Sequence, residues 1–415
     1  MASTSKKSSY RYPGIRSIFL TIHNNPTKDQ IRKYFDEVIR TLRVDWKFVD
    51  IKYKLFKDGV TNQLIVFWNC KTDNEDLEKC KDALVLRING KLTENYIDRE
   101  QERSYWEMLS EKLNTSFFPT PFQNGVVYKY QPGKGLSLQQ VRSGNARIQS
   151  PIIQQMKKFH GISNEDYRES FATERRKMYG NPATFWVAKC QEIMPKINLL
   201  TFLEMTDRTP LFYNNAFKLL KNIEMKHDLN NRSRLCHNDL LNQNIIINTN
   251  SKGSGENGTN DIKITFIDFD YLAFGQPAFD IANYFNEFAG TEFDENGTID
   301  YEKFWPTKEF RQKFISEYLG YSSTSTSKTE IENIENFMHD VDILSLASLL
   351  VYALVCLYKS QLDGFEKDKS LDGKSLPGYD FLKYVKIRVE CMVERGKRFG
   401  LHFDEQNLNK PITKY

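Results

Sequence analysis

The 415-residue chain is short of several features, and each absence excludes something. It has no bias toward charge of one sign: 58 Lys and Arg against 54 Asp and Glu leave a net charge of +4, too even for a nucleic-acid or anionic-membrane binder. Its six cysteines, Cys70, Cys80, Cys190, Cys236, Cys356 and Cys391, form no C-x-x-C pair. A disulfide framework or zinc site is therefore not expected, and reduced thiols in a cytoplasmic protein are. Long hydrophobic runs are also missing. The longest, Ile343 to Tyr358, is broken by Ser345 and Ser348. It is shorter than the ~20 residues of a membrane span, so a buried helix is expected in its place. The Ser- and Lys-rich start, Met1 to Tyr10, has no apolar stretch and is not a secretory signal. No internal repeat is present.

What the chain does have is length for two cores and many rings, 29 Phe and 21 Tyr, which fill cores and can line pockets for cations. Residues 1–16 read as a flexible tail. Apolar residues at Ile31, Tyr34, Phe35, Val38, Ile39 and Leu42 have helical spacing. Strand-like runs follow at Phe48–Phe56, Leu64–Trp68 and Ala83–Ile88, the first two joined by the turn Asp58-Gly59. A charged helix is expected over Ile97–Leu113, with Tyr105, Trp106 and Leu109 as its apolar stripe. Pro119, Pro121 and Gly125 then mark a loop before a strand at Val126–Tyr130. Residues 17–131 thus form a sheet-rich lobe. From 132 to 415 the pattern turns helical, at Ser150–His160, Asn181–Ile193, Pro210–His227, Ile343–Tyr358 and Tyr379–Gly396. Short strands stand at Ile245–Asn248 and Ile262–Asp268, and low-complexity loops at Asn250–Asn260 and Ser322–Thr329. The fold class is α+β: a small sheet-rich N-lobe and a larger helical C-lobe.

The strongest chemical signal is His237-Asn238-Asp239-Leu240-Leu241-Asn242-Gln243-Asn244, of the form H-x-D-x-x-x-x-N. Protein kinases write the same spacing in their catalytic loop. A hydroxyl nucleophile needs a carboxylate to orient it and accept its proton, and Asp239 is placed for that. The phosphates need magnesium, which favours hard oxygen ligands, and the Asn244 amide oxygen can supply one. His237 would brace the loop. The second signal is Ile267-Asp268-Phe269-Asp270-Tyr271 at the end of an apolar strand, where Asp268 matches the metal-holding aspartate of kinases and Asp270 could assist a second ion. Alone, either pattern has a structural reading. In the order strand, loop, strand, acidic exit, behind a sheet-rich lobe, they point to kinase-like catalysis. Weaker signals lie upstream: the single-glycine turn Asp58-Gly59-Val60-Thr61-Asn62, Arg87 on a strand, and Glu102 on the next helix as its partner.

These residues resemble the choline/ethanolamine kinase family. Leu235 to Ile246 is similar to that family's H-N-D loop, with Leu241 and Gln243 at its usual Gln and Gly. Asp268 with Asp280-Ile281-Ala282-Asn283-Tyr284-Phe285-Asn286-Glu287-Phe288 resembles its second block, and Leu55 to Asn62, Val85 to Gly90 and Asp98-Arg99 with Glu102 resemble further ones. Asn286 to Gly290 and Leu55 to Asn62 lie closer to the ethanolamine branch. The resemblance implies a protein-kinase-like bilobal fold, ATP as donor, Mg2+, and phosphorylation of an amino alcohol's hydroxyl. It implies ATP contacts from Gly59, Thr61, Asn62, Arg87, Glu102, Tyr128, Tyr130 and Gln131, and a substrate pocket from Asp239, Tyr271, Glu287, Phe288 and Tyr352. Asp280 and Asn283 look structural, and a homodimer follows by analogy. Where the family's late helix carries W-G-L-W, this chain has Leu349-Leu350-Val351-Tyr352-Ala353-Leu354. A quaternary choline head is best held by aromatic faces, whereas ethanolamine's ammonium seeks carboxylates and carbonyls. Losing the tryptophans and keeping Glu287 favours ethanolamine, with choline the alternative. An aminoglycoside phosphotransferase and a non-catalytic kinase fold are the other readings; a protein kinase is disfavoured by Asn238 in place of Arg.

Overall fold

Thr27 and Gln30 cap each other: Thr27 Oγ1 accepts from the Gln30 amide at 3.3 Å, and the Thr27 amide donates to Gln30 Oε1 at 2.8 Å. That reciprocal box starts helix α1 (Lys28–Tyr34). The helical path continues through a π turn, Phe35–Ile39, to Arg40–Leu42, so the expected segment is a single helix with a wider turn in its middle. The coordinates are a computed structural model that describes residues 16–23, 25–56, 62–90, 93–95, 97–113, 119–163, 234–251, 261–295, 297–322, 324, 327–363 and 381–400. The tail before residue 16, the Asp58-Gly59 turn with Thr61, the helices expected at 181–193 and 210–227, and residues 252–260 lie outside the described residues.

The chain divides into two compact units, Met1–Gly133 and Lys134–Tyr415. The first is built on a five-stranded antiparallel sheet in the order β1-β2-β3-β5-β4: β1 (Ile51–Phe56), β2 (Asn62–Asn69), β3 (Ala83–Asn89), β4 (Thr120–Phe122) and β5 (Gly125–Lys129). Phe48–Asp50, expected as strand, is a 3-10 turn leading into β1. The Pro119–Gly125 stretch, expected as loop, contains β4. Pro121 is tolerated there because β4 is an edge strand and needs no amide on its open side. Side-chain alternation sorts the two faces. Ile65, Phe67, Leu84, Leu86 and Ile88 pack with Ile31, Phe35 and Val38, whereas Val66, Trp68, Ala83 and Val85 form a second cluster on the other face. Arg87, in step with Val85, belongs to that second face. Helix α2 (Arg99–Lys112) is capped by Asp98 and buries Tyr105, Trp106 and Leu109 as its spacing implied.

The second unit carries two small sheets, β6-β8-β9 (Lys134–Gly135, Ile245–Ser251, Asp261–Phe266) and β7-β10 (Arg234–Cys236, Ala273–Gly275). Strand β9 ends at Phe266, so Asp268 lies past the strand rather than in it. The helices are α3 (Leu138–Arg142), α4 (Ala146–His160), α5 (Pro277–Asn286), α6 (Lys308–Leu319), α7 (Lys328–Asp363) and α8 (Phe381–Arg398). α5 starts on a proline, whose missing amide costs nothing at the first helical position. α7 opens within the stretch expected as a 322–329 loop and packs against both α5 and α8. Lys328–Leu357 is long and apolar enough to cross a bilayer, but 83% of its most apolar window is buried inside the protein, as a core helix should be. The two serines that interrupt its apolar run are polar ties: Ser348 Oγ accepts from Asn283 Nδ2 at 3.3 Å, and the Ser345 carbonyl accepts from Asn286 Nδ2 at 2.9 Å.

Candidate active site

The loop after β7 holds Asp239, and residues of the second unit tie it down. Its backbone turns back through Asn238, which sits in the left-handed region at φ 62°, tolerable for Asn. Asp280 on α5 pins that turn: Oδ2 accepts from the His237 amide at 2.7 Å and Oδ1 from the Asn238 amide at 2.6 Å. One turn further along α5, Asn283 Oδ1 accepts from the Leu240 amide at 2.6 Å. Behind Asp280, His160 Nε2 donates to Oδ2 at 3.1 Å while its Nδ1 meets Tyr318 Oη at 2.9 Å. His160, Cys236 and Asp280 bring their ligand atoms within 4.8 Å of one another. Asp280 is already committed to two backbone amides, and burial pushes the Cys236 thiol well above its usual range, so this cluster is a brace.

His237 is fully buried. Its Nε2 donates to the Ile267 carbonyl at 2.9 Å and its Nδ1 accepts from the Asp239 amide at 3.3 Å. A carbonyl can only accept and an amide can only donate, which assigns the neutral Nε2–H tautomer. Burial depresses its pKa, against the opposing pull of Asp280 and the Ile267 carbonyl. Neither nitrogen is left to react.

Asn244 adjoins Asp239. Asn244, buried at the start of β8, gives its Nδ2 to the Asp239 carbonyl at 2.9 Å, leaving Oδ1 without a partner among the described residues. The Ile267 amide donates to the Asn244 carbonyl at 3.0 Å, so the residue before Asp268 is tied to both His237 and Asn244. Asp268 follows, exposed and in the left-handed region at φ 66°. Non-glycine strain of this kind costs on the order of 1 kcal/mol and persists where the surroundings impose it. Asp270 is buried, and Phe269 packs edge-on to His237 at 5.5 Å.

The expected substrate residues divide. Tyr271 meets Tyr352 edge to face at 6.4 Å, and the Tyr271 carbonyl accepts from Asn238 Nδ2 at 2.9 Å. Tyr352 is a hydrogen-bond donor: its hydroxyl contacts the Asn238 carbonyl and lies 2.7 Å from Asp239 Oδ1. Burial, then the Asp239 charge, raise its pKa well above the phenol range, so it remains a donor. Glu287 is buried at the end of α5, with Oε1 held by Arg388 Nη2 at 2.6 Å. Phe288, expected at the substrate, is 3% exposed inside a ring cluster with Tyr284, Phe285 and Phe310. The 3-10 turn Glu287–Ala289 rotates it into the core.

In the first unit Arg87 Nη2 pairs with Glu102 Oε1 at 2.6 Å, and Arg99 Nη1 holds the other Glu102 oxygen at 2.8 Å. Arg99 Nη2 also donates to Asn62 Oδ1 at 3.0 Å. Tyr128 packs on Trp106 at 4.9 Å on the face that carries Arg87. Tyr130 and Gln131 follow β5, half-buried; burial raises the Tyr130 pKa. Gly59 and Thr61 lie outside the described residues.

Sequence reasoning missed Arg388 and His160. α8 is rich in Lys and Arg, which hides a buried member among solvated ones. A signal was there: Tyr384, Arg388, Cys391 and Arg395 fall at spacings of four, three and four, a single helical stripe, and all four are buried.

A bilobal kinase-like chain with an Asp–Asn pair on a braced loop defines a small-molecule phosphotransferase. The choline/ethanolamine kinase family profile matches residues 53–393, and the chain belongs to that family. It is 28% identical over 353 residues to mouse ethanolamine kinase 2, covering 85% of this chain and 78% of that one. It is 25% identical over 361 residues to an Arabidopsis thaliana probable choline kinase, covering 85% and 89%. Its fold matches the solved structure of a Plasmodium vivax ethanolamine kinase with a TM-score of 0.65 at 23% identity, over 88% of this chain and 89% of that one.

Proposed function

We propose that this chain is an ethanolamine kinase, transferring the γ-phosphoryl group of ATP to the hydroxyl of ethanolamine to give phosphoethanolamine and ADP. That is the first step toward phosphatidylethanolamine by the CDP-ethanolamine route. One observation carries the reading: a buried carboxylate, Asp239, held by Tyr352 on one oxygen and adjoining Asn244, on a loop whose His237, Asn238 and Leu240 amides are taken up by α5. Such a group is preorganised to orient a hydroxyl and take its proton as the new O–P bond forms and the bond to ADP breaks. The donors suit magnesium, being hard oxygens only: Asn244 Oδ1, which has no partner among the described residues, with Asp268 and Asp270. When bound there, the ion would neutralise phosphate charge. Arg87, steadied by Glu102, supplies a further cation for the phosphates, and Asn62, Tyr128, Tyr130 and Gln131, with Gly59 and Thr61, are assigned to ATP.

Ethanolamine is favoured by the buried carboxylate of Glu287 and by Tyr352, which spends its hydroxyl on Asp239. It is favoured too by relatives named ethanolamine kinases in mouse, rat and human. Choline is the second reading, supported by the Tyr271–Tyr352 ring pair and the Arabidopsis relative. The proposed enzyme is cytoplasmic and, by analogy, a homodimer. A coupled ADP-release assay with ethanolamine, its N-methylated derivatives and choline ranks the substrates, and ethanolamine is expected to have the highest kcat/KM. Asp239→Ala is expected to lower kcat by about 10³-fold or more with ATP binding intact. Near-wild-type turnover in that variant would falsify the assignment of the base.

A further inference from the structure

Two arginines of α8 are buried, seven residues apart on one face, and they are treated differently. Arg395 uses all three nitrogens. Nε donates to Glu302 Oε1 at 2.9 Å, Nη1 to Asn286 Oδ1 at 2.7 Å and Ser345 Oγ at 3.1 Å, and Nη2 to the Tyr301 carbonyl at 3.3 Å. Arg388, 0% exposed, bonds through Nη2 alone, to Glu287 Oε1 at 2.6 Å and to Tyr384 Oη. Its Nε and Nη1 are buried with no hydrogen-bond partner among the described residues. In place of acceptors it meets ring faces: Tyr384 at 4.6 Å, Tyr301 at 5.0 Å and Tyr352 at 5.2 Å. Rings hold a guanidinium in one plane without saturating it.

The residues Arg388 touches make the difference useful. Glu287 is the carboxylate assigned to the substrate's ammonium. Tyr352 is the phenol 2.7 Å from Asp239 Oδ1, the base assigned to the substrate's hydroxyl. Arg388 contacts both, and among the described residues it is the one polar partner of the Glu287 carboxylate, on Oε1. By holding that one oxygen it turns the carboxylate and leaves Oε2 for a ligand. By packing on the Tyr352 ring it fixes the hydroxyl that holds Asp239. We propose that Arg388 is a positioning residue that sets the separation of Glu287 from Asp239, so that the enzyme selects its amino alcohol by the length between ammonium and hydroxyl. This rests on the ethanolamine kinase reading above. Displacement of a reacting group by about 1 Å is enough to cost roughly 100-fold in rate, so a two-carbon and a three-carbon substrate are readily told apart by such a frame.

The test compares ethanolamine with 3-amino-1-propanol in wild type, Arg388→Lys and Tyr384→Phe, with KM for ATP and thermal unfolding measured alongside. Lysine keeps the charge and loses the planar fork. The Tyr384→Phe variant keeps Arg388 and removes one of its two polar contacts, which covers the case in which the lysine variant does not fold. Arg388→Lys is expected to raise KM for ethanolamine at least ten-fold and to reduce the kcat/KM preference for two carbons over three at least ten-fold. KM for ATP should stay within two-fold. Tyr384→Phe should move the same ratio about three-fold in the same direction. A structural arginine would lower the unfolding temperature and the active fraction while leaving the chain-length ratio and KM for ethanolamine at wild-type values. That result in a folded variant overturns the proposal. A wild type that phosphorylates neither amino alcohol nor choline overturns the parent reading, and the proposal with it, before any variant is made.

Discussion

Asp280 and Glu287 are two buried carboxylates seven residues apart, one within α5 and the other just past its end, and the chain uses them in opposite ways. Asp280, 1% exposed, is spent. Its oxygens take two backbone amides and a histidine, the bonds that give the Asp239 loop its shape. Glu287, 2% exposed, has a single polar partner among the described residues, Arg388, on one oxygen. Burial alone therefore does not mark a reactive carboxylate. Capacity left over after burial does, because a saturated acid has no lone pair to offer a ligand, while a half-satisfied one has been desolvated without being neutralised on both sides. Asp239 stands between the two cases: Tyr352 steadies one oxygen, and the loop that carries it is pinned by α5 at the His237, Asn238 and Leu240 amides.

The sharpest way to break this contrast is Asp280→Ala. It strips acceptors from two buried amides, His237 and Asn238, each costing about 1–3 kcal/mol when left unpaired. A loss of about 3–5 kcal/mol in chemical denaturation is expected, with activity falling because the loop is no longer held. An unfolding midpoint that stays at the wild-type value would show that the amides are satisfied some other way. A smaller effect on stability, and a selective one on catalysis, is expected from Glu287→Gln. The amide oxygen still accepts from Arg388, so the fold is retained. The charge facing the ammonium goes, and KM for ethanolamine should rise about ten-fold, near 1.4 kcal/mol, with KM for ATP unmoved. If KM for ATP shifted equally, Glu287 would belong with Asp280 as a structural acid.

Much of this was legible in the sequence, and the reason is contiguity. His237, Asp239 and Asn244 sit on one loop, so their spacing alone brought them together, and Asp280 and Asn283 were read as structural. The sheet-rich first unit was legible because β2 carries a β-branched and aromatic run and β3 a short apolar one with Val85 and Ile88. Residues whose roles depend on distant contacts were not. His160 lies 120 positions from Asp280 and Arg388 lies 101 from Glu287, separations over which no local pattern speaks. Tyr352 was read as an aromatic wall because its ring is visible in the sequence, whereas the partner of its hydroxyl is set by how α7 crosses the loop. Phe288 was read as a substrate residue, and its ring packs with Tyr284, Phe285 and Phe310, contacts that its position in the block does not announce. A block that looks like a binding motif contains core positions too, and the 3-10 turn after α5 decides which way each ring faces. Pro121 hid β4, since a proline suppresses a strand prediction even at an edge that accepts it.

The smallest effect concerns His237, and it separates a brace from a catalyst. In the folded chain burial holds its pKa below the ordinary histidine value, and both nitrogens are engaged. The unfolded chain therefore binds a proton that the folded chain refuses as pH falls below about 6.5. The stability contribution is complete above that pH and is lost progressively as pH drops toward the folded-state pKa. One proton limits the slope to about 1.4 kcal/mol per pH unit. Subtracting the stability–pH curve of His237→Asn from that of wild type is expected to leave a curve that falls below pH 6.5 and is flat above it. The kcat profile of wild type should carry no ionisation from this group, since its one N–H is committed to the Ile267 carbonyl. A difference curve that is flat below pH 6.5, paired with a kcat titration that His237→Asn removes, would move His237 from the brace to the chemistry.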